Sequence, residues 1–161
     1  MPIIERKHRL PKQYYQGKVT VAFTICIKGN DKPFINSDII KYLSDMLASC
    51  VIDKKCFVPV YCFMPDHLHL IISGTSDDSD VWKAIVLFKQ KTGYWMSKSN
   101  KTFKWQKDFY DHVITNHEQL AVQVRYILDN PVRQGLVKTW KDYPFHGAIG
   151  CAINDALHGI V

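Results

Sequence analysis

Apolar and polar positions along the chain alternate between two periods. Val19 to Ile27 (VTVAFTICI) is a continuous β-branched and aromatic run closed by GNDKP, which predicts a strand buried on both faces. Ser37 and Asp38 offer a helix cap, and Ile39, Ile40, Leu43, Met46 and Leu47 then recur at helical spacing to about Ile52. Cys56 to Met64 and His67 to Ser73 read as two more strands. Pro65-Asp66 between them is turn chemistry, so they are expected to be antiparallel neighbours. A second helix is predicted from Ser79 or Asp80 to Ser97, and a fourth strand from Lys104 to Ile114. Asn116 can cap a third helix, His117 to Asn130, which Pro131 is expected to stop.

The resulting order is β-α-β-β-α-β-α. Without its last helix this is the ferredoxin-like order, so the expected fold class is α+β: an antiparallel sheet with helices on one face plus a C-terminal helix. The 161 residues are expected to form one domain, with residues 1–18 as a basic arm and residues 144–161 as a tail of no assignable pattern.

Composition narrows the class. Hydrophobic residues make up 47% and charged residues 22%, which is globular rather than disordered. The excess of 21 Lys+Arg over 15 Asp+Glu suits a polyanionic partner, although basic proteins without one are common. Five cysteines without a CxxC pair argue against a disulfide framework or a zinc knuckle, and fit a reducing cytosol. The N-terminal segment lacks the apolar core of a signal peptide, and no apolar stretch approaches the ~20 residues that span a bilayer. A cytoplasmic protein with no membrane partner is expected.

Two local features carry candidate chemistry. His67 and His69 alternate with Leu68 in a strand, so both imidazoles share one face. Such a pair fits either a divalent cation or two solvated, hydrogen-bonded histidines. Tyr126 and Asn130 stand one above the other on the third helix, to the side of its apolar stripe of Leu120, Val124, Ile127 and Leu128. Taken alone, Tyr126 fits the core margin and Asn130 fits a helix end. Taken with the histidines, a side-chain oxygen from Asn130 completes a mixed N/O ligand set suited to Mg²⁺ or Mn²⁺, with positions open for phosphate oxygens. Tyr126, one turn back, is then placed to attack phosphorus. A phenol is only about one part in a thousand ionised at neutral pH, so a cation must stabilise the phosphoryl charge while a base or water takes the proton.

The segment YCFMPDHLHLII resembles the histidine signature of the single-tyrosine HUH transposases of small insertion sequences, and YDHVITNHEQLAVQVRYILDNPVRQGLV resembles their tyrosine signature. The Tyr-Ile-x-x-Asn-Pro-Val-Arg-x-Gly-Leu form is especially similar to the REP-associated tyrosine transposase branch. The resemblance runs from about residue 15 to about 147 and implies a ferredoxin-like fold acting on hairpin-bearing single-stranded DNA. It further implies cleavage that leaves a 5′-phosphotyrosine link and a free 3′-hydroxyl. By position, His67 and His69 are the metal-binding histidines, Tyr126 is the nucleophile and Asn130 is the third ligand, where a glutamine stands in the insertion-sequence branch. Asp66 replaces the usual asparagine and is expected to complete the turn. The implied setting is prokaryotic, on nucleoid DNA. Family members act as monomers or as homodimers whose tyrosine helix serves the neighbour's site.

For DNA contacts, Arg125 and Arg133 flank the tyrosine. Lysines including Lys89 and Lys104 are interleaved with Trp82, Tyr94, Trp95, Phe103 and Trp105. That pattern fits strand binding by charge and stacking, and equally an aromatic core under a solvated face. Tyr61 and Tyr110 are rival nucleophiles without a ligand four residues on. Other readings are a domesticated relative that binds hairpins without transposing, a two-histidine phosphoesterase, and a ferredoxin-like RNA-binding module. The phosphoesterase wants a second His motif, and the RNA module wants exposed aromatics where the histidines sit.

Overall fold

In the computed structural model, which describes residues 10–161, the elements run β1 (Thr20–Cys26), α1 (Ser37–Asp53), β2 (Cys56–Met64), β3 (His67–Gly74), α2 (Val81–Lys98), β4 (Tyr110–Ile114), α3 (His117–Arg133), β5 (His146–Ile149) and α4 (Ile153–Leu157). Asn36, Asp80 and Asn116 cap α1, α2 and α3, each side chain accepting from backbone N–H groups of the first turn. Those caps satisfy donors that a helix start otherwise leaves open.

The strands pair antiparallel in the order β4-β1-β3-β2-β5. The first four make the expected ferredoxin-like sheet, and β5 lengthens it at the β2 edge. Residues 144–161, which carry no legible pattern, supply β5 and α4. Gly147 lets β5 lie against β2, since a Cβ there would sit 2.6 Å from the Tyr61 hydroxyl.

The two helices of the ferredoxin-like order, α1 and α2, cover one face of this sheet, and the added helix α3 covers the other. Val21, Phe23 and Ile25 of β1 and Leu68, Leu70 and Ile72 of β3 pack toward α1 and α2. Across the sheet, Val60, Cys62 and Met64 of β2 and Ile71 of β3 pack against Leu120, Val124, Ile127 and Leu128 of α3. The strand buried on both faces is β2, whose run CFVPVYCFM is apolar on each side. In contrast, β1 alternates, with Thr20, Ala22, Thr24 and Cys26 only half-buried. Small side chains on that face of β1 leave room that becomes part of the site.

Other expectations shift for local reasons. Residues 1–9 of the expected basic arm lie outside the described residues, and of the rest Tyr15 and Leu10 are anchored on the core while most of the others are exposed. Tyr15 is buried, its ring tilted on Trp82 and its hydroxyl donating to Asp111 Oδ2 at 2.6 Å. The predicted fourth strand is a strand only from Tyr110. Before it, Trp105 bridges to Ile27 and donates from Nε1 to Thr92 Oγ1 at 2.8 Å. Phe103 and Trp105 are core residues, so for them the aromatic pattern reflects packing. Pro131 does not end α3. The helix continues to Arg133 and closes in a Schellman turn, with Leu136 N–H on Pro131 O (2.9 Å), Gly135 N–H on Val132 O (3.0 Å) and Gly135 at φ +75°. No helix among the described residues is long and apolar enough to cross a membrane.

Candidate active site

Strand alternation turns His67 and His69 toward α3, on the face opposite Leu68, Leu70 and Ile72. Each imidazole is held by its Nδ1. Asp66 Oδ1 lies 2.7 Å from His67 Nδ1, so the residue expected only to complete the turn also orients the first histidine. Thr24, paired with His69 across β1 and β3, brings Oγ1 to 3.0 Å from His69 Nδ1. With both Nδ1 atoms donating, both Nε2 lone pairs are left for one ligand. The two Nε2 atoms face each other at 3.1 Å across rings inclined at 88°. Ligands on adjacent corners of an octahedron, at ~2.1 Å from its centre, are ~3.0 Å apart, so the pair fits a divalent cation. A carboxylate behind a ligating histidine is the usual support for such a site. Burial pushes His69 down to about 3, with His67 and Arg133 adding to the effect, which keeps that imidazole neutral and able to ligate.

Among the described residues no third His, Cys, Asp or Glu completes the pair into a cluster. Cys62, opposite His69 on β2, has its thiol pushed up to about 12 by burial and stays protonated. A further protein ligand would therefore be a neutral oxygen, the kind Asn130 carries. Asn130 is 6% exposed, deeper than a helix-edge position suggests, whereas Tyr126 is 53% exposed. The imidazoles' hydrogen bonds run to Asp66, to Thr24 and to each other, and none of them involves Asn130.

Helix α3 crosses the histidine face. Gln123, Tyr126 and Ile127 line a cavity of about 300 Å³ together with His69, Thr24, Tyr110 and His112. Past the helix end, Gln134 and Leu136 line a second cavity of about 480 Å³ that contains His67 and Asp66. The histidine pair thus lies on the ridge between two concavities, with the tyrosine on one side only. Because α3 runs past Pro131, Arg133 returns to the face of Tyr126 after seven residues. Its guanidinium lies 4.0 Å from the ring centroid, and Nη2 donates to the Tyr126 carbonyl at 2.7 Å. A cation at this helix C-terminus offsets the electronegative end that would otherwise oppose a phosphate.

The other predicted contacts separate. Arg125 and Lys104 are exposed. Lys89 is engaged by the fold: its Nζ donates to the carbonyls of Gln106 and Lys107 at 2.8 and 2.9 Å and lies over Phe109. It therefore tethers the segment before β4. Tyr61 lies across the sheet, where burial raises its phenol above the ordinary range. Tyr110, set aside on spacing, shares the Tyr126 cavity with His112. Alternation in YDHVI puts Tyr110 and His112 on one face, a signal that gained meaning only with the β1–β4 pairing. Thr24 left no sequence signal at all.

The chain is similar to known proteins over most of its length. The family described as "Transposase IS200 like" matches residues 15–130. A REP-associated tyrosine transposase of Escherichia coli K12 is 28% identical, over 83% of this chain and 79% of its own. A Haemophilus influenzae protein provisionally given the same name is 27% identical, over 76% of each chain. A solved REP-associated tyrosine transposase bound to a REP hairpin superposes with a TM-score of 0.73 at 23% identity, covering 89% of this chain and 82% of that one.

Proposed function

The chain belongs to the IS200-like transposases, and on that premise we propose that it is a metal-dependent enzyme that cuts and rejoins hairpin-bearing single-stranded DNA through Tyr126. The observation that carries the reading is the cavity shared by His69 and Tyr126 within one chain. A hairpin partner is inferred from the solved relative, which holds one.

His67 and His69, with Asn130 as third ligand, would hold Mg²⁺ or Mn²⁺. When bound, that ion supplies positive charge to the non-bridging oxygens of the scissile phosphate. Asp66 and Thr24 fix the two imidazoles, so the ligands need no reorganisation. Arg133 pins the Tyr126 ring and brings a second positive charge to the phosphate. Arg125, exposed on the same helix, would contact a neighbouring backbone phosphate. The Tyr126 hydroxyl oxygen forms a bond to phosphorus and the bond to the upstream 3′-oxygen breaks. The phenolic proton leaves to a base or water, and the 3′-oxygen takes one from solvent. The phosphotyrosine retains the energy of the phosphodiester, so a DNA 3′-hydroxyl can reverse the step without ATP. Positioning and electrostatics are what the protein contributes.

The test is incubation with labelled single-stranded hairpin DNA and Mn²⁺ or Mg²⁺, followed by denaturing electrophoresis. A covalent adduct is expected, absent with EDTA and in Tyr126→Phe, and retained in Tyr110→Phe. Hairpin binding without an adduct would instead identify a domesticated binder. An adduct that persists in Tyr126→Phe would identify a different nucleophile.

A further inference from the structure

The larger cavity lies on the side of the histidine pair away from Tyr126, and the chemistry says what belongs there. In-line displacement places the attacking and leaving oxygens on opposite sides of phosphorus. With the phosphate over His67 and His69 and Tyr126 attacking from the His69 side, the leaving 3′-oxygen departs toward the His67 side. We propose that the 480 Å³ cavity beside His67 is the subsite for the nucleotide that carries the leaving 3′-hydroxyl, and that it reads that nucleotide's base. This assignment rests on the transposase reading above.

The lining suits that ligand. The volume lies within the roughly 300–1,000 Å³ of small-ligand sites. Buried Met64 and the side chains of Cys26 and Leu136 give apolar surface for a base to lie against. Gln106 and Gln134 bring two carboxamides, each able to donate and accept toward a base edge. Gln106 is held in place by its backbone N–H on the Cys26 carbonyl at 2.8 Å. Its side-chain nitrogen leans on the Ile27 carbonyl at 3.5 Å, which leaves the amide oxygen as an acceptor. Lys32 at the rim supplies charge for the adjoining phosphate. The Tyr126 cavity has no room for this role, because the nucleophile itself occupies that side.

A second consequence distinguishes this subsite from a general strand-binding groove. Joining is the reverse of cleavage: a 3′-hydroxyl oxygen bonds to phosphorus and the Tyr126 oxygen leaves, taking up a proton. The incoming 3′-terminal nucleotide must then occupy the same cavity. One pocket therefore sets one base preference for both the cut strand and the acceptor strand.

The experiment uses the full chain with Mn²⁺ and hairpin-bearing single-stranded DNA randomised on both sides of the hairpin, with the released 3′-hydroxyl fragments sequenced. Purified adduct is then offered oligonucleotides with a randomised 3′-terminal base, and the joined products are sequenced. A good amide-to-base pairing discriminates by about tenfold, so wild type should favour one 3′-terminal base by about that factor in both reactions. Gln106→Ala and Gln134→Ala should each reduce it to below about threefold while hairpin affinity is unchanged. Equal use of all bases by wild type, a preference untouched in both variants, or different bases favoured in cutting and joining would each overturn the subsite. Failure of wild type to form any adduct would instead remove the transposase reading, and the subsite with it.

Discussion

Asp66 shows how one atom on a neighbouring residue decides what a histidine can do. Its carboxylate takes the Nδ1 side of His67 and turns the Nε2 lone pair toward His69. Loss of such an outer partner typically weakens a metal site about 10–100-fold. Asp66→Ala should therefore lower Mn²⁺ affinity, followed by paramagnetic resonance, by about that factor, whereas Asp66→Asn keeps an acceptor and should lose much less. Equal affinity in all three proteins would show the carboxylate to be idle. His69 makes a separate prediction in metal-free protein. Its folded value of about 3 lies below the ordinary 6.5. The unfolded chain then binds a proton between those values that the folded chain refuses, so stability present above pH 6.5 is lost as pH falls toward 3. The slope from this one group is at most ~1.4 kcal/mol per pH unit. Urea unfolding of wild type and His69→Gln at pH 7, 6 and 5 should show the steeper decline in wild type, and parallel curves would contradict the burial argument.

At the scale of elements, α3 matters through where it ends. Had it stopped at Pro131, Arg133 would lie in a loop and Tyr126 would lose its guanidinium lid. The Schellman turn depends on Gly135, whose positive φ disfavours any side chain even though nothing stands within 4 Å of a Cβ there. Gly135→Ala should cost ~1 kcal/mol, which for a domain of this size is a fall in Tm of about 2–4 °C. A calorimetric scan with no change in Tm would show that the turn tolerates alanine. Pro131 is a weak stop because proline removes only one hydrogen bond, and near a C-terminus few follow it. The Gly135 signal was present in the same segment and was the stronger one.

For the molecule as a whole, the question is whether one chain holds a complete site. His69 and Tyr126 line one cavity within a single chain, and we propose that the tyrosine attacks in cis. Mixing His67→Ala with Tyr126→Phe should therefore restore no adduct formation on hairpin DNA at any ratio. Recovery of adduct in the mixture would establish a trans arrangement and require α3 to detach from its packing on β2.

Much of this protein could be read from order and spacing. The first four strands, the three long helices, the caps at Asp80 and Asn116, the pairing of β2 with β3 and the shared face of His67 and His69 all follow from local periodicity and turn chemistry, which act within a few residues. In contrast, α1 is capped by Asn36 and not by the expected Ser37-Asp38. The motif residues Tyr126 and Asn130 were visible for the same reason. Tertiary structure alone decided the remainder. Thr24 meets His69 only through β1–β3 register, and Arg133 covers Tyr126 only because α3 passes Pro131. Tyr15 of the expected arm is buried in the core, Lys89 is tied to the Gln106 and Lys107 carbonyls, and residues 144–161 supply α4 and a strand that pairs with the β2 edge. The two cavities on either side of the histidines belong to no segment. They exist because α3 crosses a sheet face whose β1 side chains are small, a relation between distant parts of the chain that no local pattern encodes.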